Sequence, residues 1–103
     1  MIKYCMVNKI KEECIEQYAE AHRNFWPELR EVFKASGAMN CTIYLYGNQS
    51  ILYLECENID DTFDLLGQSE INQKWQAMGK HWFENAEGFQ ADLAEMVFDL
   101  NEV

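Results

Sequence analysis

The chain has 103 residues, which is enough for one domain spanning 1–103, and 49% of them are hydrophobic. It carries 18 Asp and Glu against 8 Lys and Arg, a formal net charge of −10. That charge repels phosphate backbones and anionic lipids, so it argues against nucleic-acid and membrane partners and favours a small neutral ligand.

The cysteines and the N-terminal residues bear on whether the protein binds a metal ion and on where in the cell it is located. Cys5, Cys14, Cys41 and Cys56 have no metal-ligand spacing, so we expect no metal ion; the sequence also has no Gly-rich phosphate loop, and we expect no other cofactor. The first ten residues lack the pattern of a signal peptide, and no apolar run is long enough to span a membrane. The sequence therefore predicts a cytoplasmic protein with reduced thiols.

The first third of the chain predicts a strand followed by two helices. Residues 2–9 mix β-branched, aromatic and apolar side chains over the length of a strand. Apolar or small side chains then recur at helical spacing across residues 11–24. Pro27 excludes α geometry at Trp26, so this helix ends before it, and the proline can open a second helix that Gly37 closes.

A hairpin and two more helices follow. Residues 39–46 and 51–57 read as two strands, with 47–50 as the turn between them. Residues 60–66 predict a short helix, with Asp60 or Asp61 as its N-cap. Residues 69–82 predict a longer one.

The last elements complete a recognisable order. The longer helix begins at a Ser69 cap, residues 84–90 are expected to form a loop, and 93–100 a closing strand. The order β-α-β-β-α-β predicts an α+β fold, the ferredoxin-like split βαβ layout, with an antiparallel sheet and helices on one face. Because the other face needs cover, we expect a homodimer, a dimeric α/β-barrel.

One pair of side chains is a candidate for chemistry. Tyr18 and His22 are four residues apart on the first helix, so they share a face. An imidazole that titrates near neutral pH beside a phenol could transfer protons. A single histidine on an apolar stripe is, however, more often structural, and spacing alone leaves both interpretations open. His81, in a surface-like stretch, is a weaker candidate.

The three tryptophans leave similar alternatives open. Trp26, held at the proline break, could be a platform for a sugar ring or a plug of the core. Trp75 and Trp82 lie seven residues apart in the last helical stretch, which is typical of core positions, although one of them could face a pocket.

The sequence resembles one known family along nearly its whole length. Two runs resemble those of the L-rhamnose mutarotase family: Tyr18-x-x-x-His22-Arg23-Asn24-x-Trp26-Pro27-Glu28-Leu29 and Ser36-Gly37-Ala38-x-Asn40-x-x-Ile43-Tyr44-Leu45. The Gln-x-Trp stretch that ends at Trp75 extends the resemblance. It implies a ferredoxin-like homodimer that interconverts the α and β anomers of a 6-deoxy-L-sugar without a metal.

By position, the resemblance also assigns residues. His22 matches the proton donor of the family, Tyr18 a sugar-binding tyrosine, and Trp75 the first of two adjacent tryptophans that contact the sugar. Two substrate-binding positions depart from the family pattern, because Gln76 replaces the second tryptophan and Cys41 replaces an aromatic residue. The resemblance therefore supports the reaction more firmly than the sugar, and L-fucose is an option beside L-rhamnose.

The sugar would rest its apolar face on Trp75 or Trp26. The competing interpretation is a non-catalytic dimeric α/β-barrel that binds a small ligand. Exchange between sugar anomers separates the two, because an enzyme accelerates it and a binding protein does not.

Overall fold

The computed structural model describes residues 1–85 and 92–102. Its elements are strands β1 (Ile2–Lys9), β2 (Asn40–Tyr46), β3 (Gln49–Cys56) and β4 (Asp92–Leu93), and helices α1 (Ile15–Arg23), α2 (Pro27–Ala35), α3 (Ile59–Gly67) and α4 (Glu70–Gly79). The four strands form one sheet in the order β2-β3-β1-β4, and each paired neighbour is antiparallel. This is the predicted α+β, ferredoxin-like fold.

The sheet has a covered and an open face. Antiparallel pairing sets Met6 opposite Leu52 and Asn8 opposite Ser50, so these four side chains point to one side. That side is covered by the helices, and Met6 is almost completely buried there. The alternate residues of the three long strands face the other way. The hydrophobic core therefore lies between this face of the sheet and the helices.

The ends of the first two helices follow the predicted signals. A 3-10 turn, Glu12–Cys14, precedes α1, so the helix predicted for 11–24 begins with this tighter turn. Pro27 is the first residue of α2. Gly37 has a φ of 101°, and the bonds from its N–H to Lys34 O and from Ala38 N–H to Phe33 O, both 3.1 Å, form a Schellman motif.

The hairpin requires one correction. Residues 49 and 50 belong to β3 and not to the turn, because the ladder continues through the pairs Tyr46↔Gln49 and Leu45↔Ser50. A two-residue turn suffices since Gly47 takes a φ of 62°, which other residues rarely adopt. The correction places the Ser50 side chain on the covered face of the sheet.

The cap of α3 is also corrected. Asn58, not Asp60 or Asp61, is the N-cap, and its side-chain oxygen accepts from the N–H of Asp61 at 3.1 Å. An N-cap needs extended backbone, whereas both aspartates already lie in the first helical turn. Ser69 caps α4 as predicted, accepting from the N–H of Asn72 at 3.3 Å. The helix predicted for 69–82 ends with a 3-10 turn, Lys80–Trp82.

The predicted closing strand is mostly wrong. Of the predicted strand 93–100, only Leu93 lies in a strand, β4, which pairs with β1, and 94–99 have no regular structure. The adjacent Val97 and Phe98 break the alternation that a strand with one covered face needs. Asp99 instead binds the Lys3 ammonium at 2.6 Å. Of the predicted loop 84–90, residues 86–90 lie outside the described residues.

Candidate functional site

A cavity of about 1050 Å³ lies between the sheet and the helices. Its size is at the upper end of the range of about 300–1,000 Å³ that is usual for ligand pockets. All four helices and the first three strands contribute to its wall. Five of the six predicted site residues line it: His22, Tyr18, Cys41, Trp75 and Gln76.

The sixth predicted residue, Trp26, is not among the residues that line the cavity. Its ring packs almost perpendicular to Trp75, with the two ring centroids 5.1 Å apart. The proline break after Trp26 therefore places this indole behind the wall, where it supports the indole of Trp75.

The imidazole of His22 is oriented by its own helix. Its Nδ1 lies 2.7 Å from the backbone carbonyl oxygen of Tyr18, one turn earlier. A carbonyl oxygen can only accept, so Nδ1 carries the hydrogen of that bond. In the neutral imidazole the other nitrogen, Nε2, then has a free lone pair. This tautomer makes Nε2 a proton acceptor.

Aromatic rings surround His22. Its centroid lies 4.1 Å from that of Tyr18, 5.2 Å from Trp75, 5.9 Å from Trp82 and 6.2 Å from Phe25. This burial lowers the pKa of His22, while the hydrogen bond to the Tyr18 carbonyl acts in the opposite direction. The imidazole is therefore neutral at physiological pH, as a general base must be.

Tyr18 connects the cavity to the sheet behind it. It is 4% exposed, and its hydroxyl oxygen lies 2.6 Å from Oγ of Ser50. Burial raises the pKa of the Tyr18 phenol, and the Ser50 hydrogen bond lowers it in part. The phenol is therefore protonated at physiological pH and can donate a hydrogen bond or a proton.

Helix α4 and the turn after it supply the indole wall. Trp75 and Trp82 are both buried and line the cavity, with centroids 5.8 Å apart. A Cβ on Gly79 would overlap the ring of Trp82, so the glycine is what lets the chain fold the second indole back onto the helix.

The two positions that depart from the family pattern are both at the wall. Cys41, in β2 opposite Leu54, is exposed to the cavity, and partial burial of its thiol raises the pKa. Gln76 is exposed and follows Trp75 directly on α4. A thiol and an amide thus stand where aromatic rings would offer stacking surfaces.

The charge around the cavity differs from that of the whole chain. The sequence shows no basic cluster, yet the fold brings Arg23, Arg30 and Lys34 to the cavity wall, with no carboxylate among the described lining residues. Arg23 and Lys34 each lie 3.7 Å from a glutamate one turn away, in exposed pairs that stabilise little. The acidic surface thus does not extend into the cavity.

Sequence reasoning missed Phe83 and Ser50 at the site, and it left Trp82 undecided between core and pocket. Phe83 lines the cavity beside Trp82, and Ser50 binds Tyr18 from behind. The seven-residue spacing from Trp75 signalled Trp82, whereas nothing in the sequence joined Ser50 to Tyr18. His81 is exposed and bonds Gln17 Oε1 at 2.8 Å, away from the lining residues.

Residues 1–85 and 92–102 contain neither a metal-ligand cluster nor a membrane-spanning helix. No group of three or more His, Cys, Asp and Glu is arranged to hold a metal ion, and no helix is long and apolar enough to cross a bilayer. The metal-free reaction and the cytoplasmic location stay predictions.

Comparisons with known proteins identify a family for this chain. The family model described as L-rhamnose mutarotase matches residues 3–103. The L-rhamnose mutarotase of Shouchella clausii is 32% identical over 105 residues, covering 100% of this chain and 96% of its own. That of Escherichia coli O157:H7 is 32% identical over 76 residues, 73% of either chain.

Two solved structures share the fold. The crystal structure of an L-rhamnose mutarotase from Formosa agariphila superposes with a TM-score of 0.80 at 20% identity, covering 97% of this chain and 99% of that one. Tetracenomycin F2 cyclase from Streptomyces glaucescens superposes with a TM-score of 0.60 at 14% identity, over the full length of both chains. At these identities the likeness shows the fold alone.

Proposed function

The chain belongs to the L-rhamnose mutarotase family, whose members are isomerases, and we propose that it interconverts the α and β anomers of a 6-deoxy-L-sugar with His22 as the proton-transfer residue. The observation that carries the proposal is the orientation of His22. Its Nδ1 is engaged by the Tyr18 carbonyl, and its second nitrogen is left as a base in the wall of a large cavity.

The reaction requires two proton transfers. The anomeric hydroxyl loses a proton as the ring oxygen gains one, and the bond between C1 and the ring oxygen breaks to give an open-chain aldehyde. Rotation about C1–C2 and ring closure then give the other anomer. Nε2 of His22 would take the anomeric proton and return it on closure. Because burial disfavours the imidazolium, the proton is readily given back.

Substrate binding follows from the wall of the cavity. Trp75 offers an indole for the apolar face and the methyl group of the sugar, and Tyr18, Cys41 and Gln76 lie at the same wall. Trp26 contributes by holding Trp75. We propose a neutral sugar as substrate, L-rhamnose or L-fucose, with the three cations at the wall available to hydroxyl oxygens as hydrogen-bond donors.

The direct test is anomer exchange followed by NMR saturation transfer. Catalytic amounts of protein should accelerate exchange of L-rhamnose or L-fucose in proportion to enzyme concentration, after subtraction of the spontaneous rate. Binding without acceleration, for both sugars, would favour the non-catalytic alternative. Including a sugar phosphate as a competitor checks the choice of a neutral ligand: strong inhibition by it would point to an anionic substrate.

We also propose that the protein is a homodimer formed through the open face of the sheet. That face presents Tyr46, which is 77% exposed, and Ile51 of the neighbouring strand. The Lys3–Asp99 ion pair holds the C-terminal segment against one end of it. Val97 and Phe98 in that segment are 87% and 76% exposed. Apolar side chains concentrated in this way typically mark an interface.

A further inference from the structure

A buried serine supports the phenol of Tyr18. Ser50 is 3% exposed, and its Oγ lies 2.6 Å from the hydroxyl oxygen of Tyr18. Tyr18 lines the cavity, whereas Ser50 is not among the lining residues. The hydrogen bond to Tyr18 is therefore the contact through which the Ser50 hydroxyl reaches the cavity wall.

The surroundings of Ser50 leave the donor of this hydrogen bond to be decided by the chemistry of Tyr18. Asn8 lies directly opposite Ser50, on the same covered face of the sheet, and is 7% exposed. Its Oδ1 accepts from the N–H of Lys9 at 3.0 Å, and its buried Nδ2 has no hydrogen-bond partner within the part of the chain that the structure describes. The orphaned Nδ2 makes no bond to Ser50, and the 2.6 Å distance lets either hydroxyl donate, but a Tyr18 that gives its own proton to the sugar must accept from Ser50.

We propose that Ser50 is a positioning residue for the reaction: its hydroxyl donates to the phenol oxygen of Tyr18 and so holds Tyr18 as the second proton-transfer group, complementary to His22. The proposal rests on the mutarotase function proposed above. It assigns a role to a residue that never touches the sugar.

The proton balance is complete with these two groups. On ring opening, Nε2 of His22 takes the proton of the anomeric hydroxyl. The phenol of Tyr18 gives its proton to the ring oxygen as the bond from that oxygen to C1 breaks. The phenolate formed accepts the Ser50 hydrogen bond. On closure the ring oxygen attacks C1 and returns its proton to Tyr18, and the imidazolium of His22 returns the other to the anomeric oxygen.

The role of Ser50 should appear mainly in the transition state. The Tyr18 phenol is neutral while the sugar is bound and gains negative charge only as the ring opens. A hydrogen bond to a charged oxygen is stronger than one to a neutral oxygen. The direction of the pKa change supports this, because the Ser50 hydrogen bond lowers the pKa of Tyr18 against the effect of burial. Loss of the hydroxyl should therefore reduce kcat more than it raises KM.

The test compares Ser50→Ala with Tyr18→Phe and the double variant in anomer-exchange kinetics. We expect Ser50→Ala to lower kcat about 10-fold, with KM changed by about 2-fold or less. Tyr18→Phe should lower kcat at least about 100-fold. In the Tyr18→Phe background, Ser50→Ala should have no further effect, because its hydroxyl then has no phenol oxygen to hold.

Ser36→Ala is the matched control. Ser36 is also buried, at 6% exposed, and its hydroxyl donates to Val32 O at 2.7 Å, but it is not among the cavity-lining residues. The kcat of the Ser36→Ala variant should equal that of the wild type, even if the variant is less stable. If Ser50→Ala does not fold, Ser50→Cys provides the same test, because a thiol of similar size is a weak donor.

The results separate this inference from the proposed function. Acceleration by the wild type and a loss in His22→Ala concern the function alone. Wild-type kcat in folded Ser50→Ala and Ser50→Cys would overturn the role of Ser50. An undiminished effect of Ser50→Ala in the Tyr18→Phe background, or an equal loss in Ser36→Ala, would likewise assign Ser50 a purely structural role.

Discussion

Nδ1 of His22 lies 2.7 Å from the carbonyl oxygen of Tyr18, one helical turn earlier. This single contact fixes both the orientation of the ring and its tautomer, because the carbonyl must accept. The carbonyl belongs to the interior of α1 (Ile15–Arg23), so the helix itself holds the acceptor in place. The orientation of the His22 ring thus depends on α1 being helical from Tyr18 to His22.

His22→Ala should abolish most of the activity and leave the fold intact. Positioned acid–base catalysis contributes about 100- to 10,000-fold, so anomer exchange should fall by at least about 100-fold. NMR saturation transfer measures the rate, and circular dichroism checks the fold. His81→Ala is the control, since His81 is exposed and lies away from the cavity wall. Wild-type exchange in a folded His22→Ala protein would remove His22 from the mechanism.

The activity should depend on pH through the base form of His22. Because burial lowers its pKa below the ordinary value of about 6.5, kcat/KM should be constant near neutral pH and decline only in more acidic solution. A rate profile between pH 4.5 and 8 locates the decline. A half-point above the ordinary value would contradict the assigned direction.

The free energy of unfolding should also depend on pH through His22, and it should fall in acid. Between the lowered pKa of His22 in the folded protein and its ordinary value of about 6.5, the unfolded chain binds a proton that the folded protein does not. The free energy of unfolding therefore rises with pH across this interval. This contribution is fully present above that pKa and is lost as the pH falls towards the folded pKa. Urea titrations of wild type and His22→Ala at several pH values measure it, and their difference should shrink as acid is added.

Gly79→Ala should damage both stability and the site. Its Cβ would overlap the ring of Trp82, and overpacking of this kind typically costs about 1–3 kcal/mol of unfolding free energy. The displaced indole should also slow anomer exchange. For stability the control is Gly67→Ala at the end of α3, where nothing lies within 4 Å of the new Cβ; we expect a change between neutral and about 1 kcal/mol stabilising. Equal stabilities of the two variants would contradict the packing argument.

The homodimer should depend on the open face of the sheet. Wild type should sediment at twice the monomer mass at micromolar concentration. Ile51→Glu places a charge at the centre of that face and should give a folded monomer, because a buried unpaired charge opposes association. Leu65→Glu, at an exposed leucine on α3, should leave the dimer intact. A wild-type monomer with full activity would refute the dimer.

The sequence predicted the helices and most of the strands, but it misplaced one turn and one helix cap. Pro27, Gly37 and Ser69 act through local backbone geometry, and each ends or begins a helix as expected. The turn at 47–50 and the cap of α3 were misplaced, because the first depends on how far a ladder runs and the second on which of several neighbouring polar residues takes extended backbone.

At the candidate site, too, the sequence predicted local contacts but not contacts between distant residues. Tyr18 and His22 could be joined by their spacing of four, since one helix carries both. The contact between Tyr18 and Ser50 spans 32 residues, and it exists only because α1 packs across β3. The three cations at the cavity wall were likewise dispersed among other residues in the sequence. Contacts of this kind follow from tertiary packing, which periodicity does not contain.

The last prediction concerns the choice of sugar and depends on Gln76 and Cys41. An amide where the family pattern has an indole removes apolar contact from the C–H face of the sugar and adds a donor and an acceptor. A thiol where the pattern has an aromatic residue opens space at the β2 wall. Both changes favour a sugar with a hydroxyl where rhamnose has carbon and hydrogen. L-fucose differs from L-rhamnose in the configuration of its ring hydroxyls.

We therefore expect L-fucose to be handled at least as well as L-rhamnose, because a site built to bond a hydroxyl discriminates against an analogue that lacks it there. Side-by-side NMR exchange rates give the ratio of kcat/KM for the two sugars. Gln76→Trp should shift that ratio towards rhamnose by about 10-fold, the effect of one lost hydrogen bond. Lys74→Trp adds the same indole to α4 at an exposed residue outside the cavity lining, so its ratio should equal that of the wild type. If wild type clearly prefers L-rhamnose and Gln76→Trp leaves the ratio unchanged, both departures from the family pattern are neutral and the cavity selects its sugar through other residues.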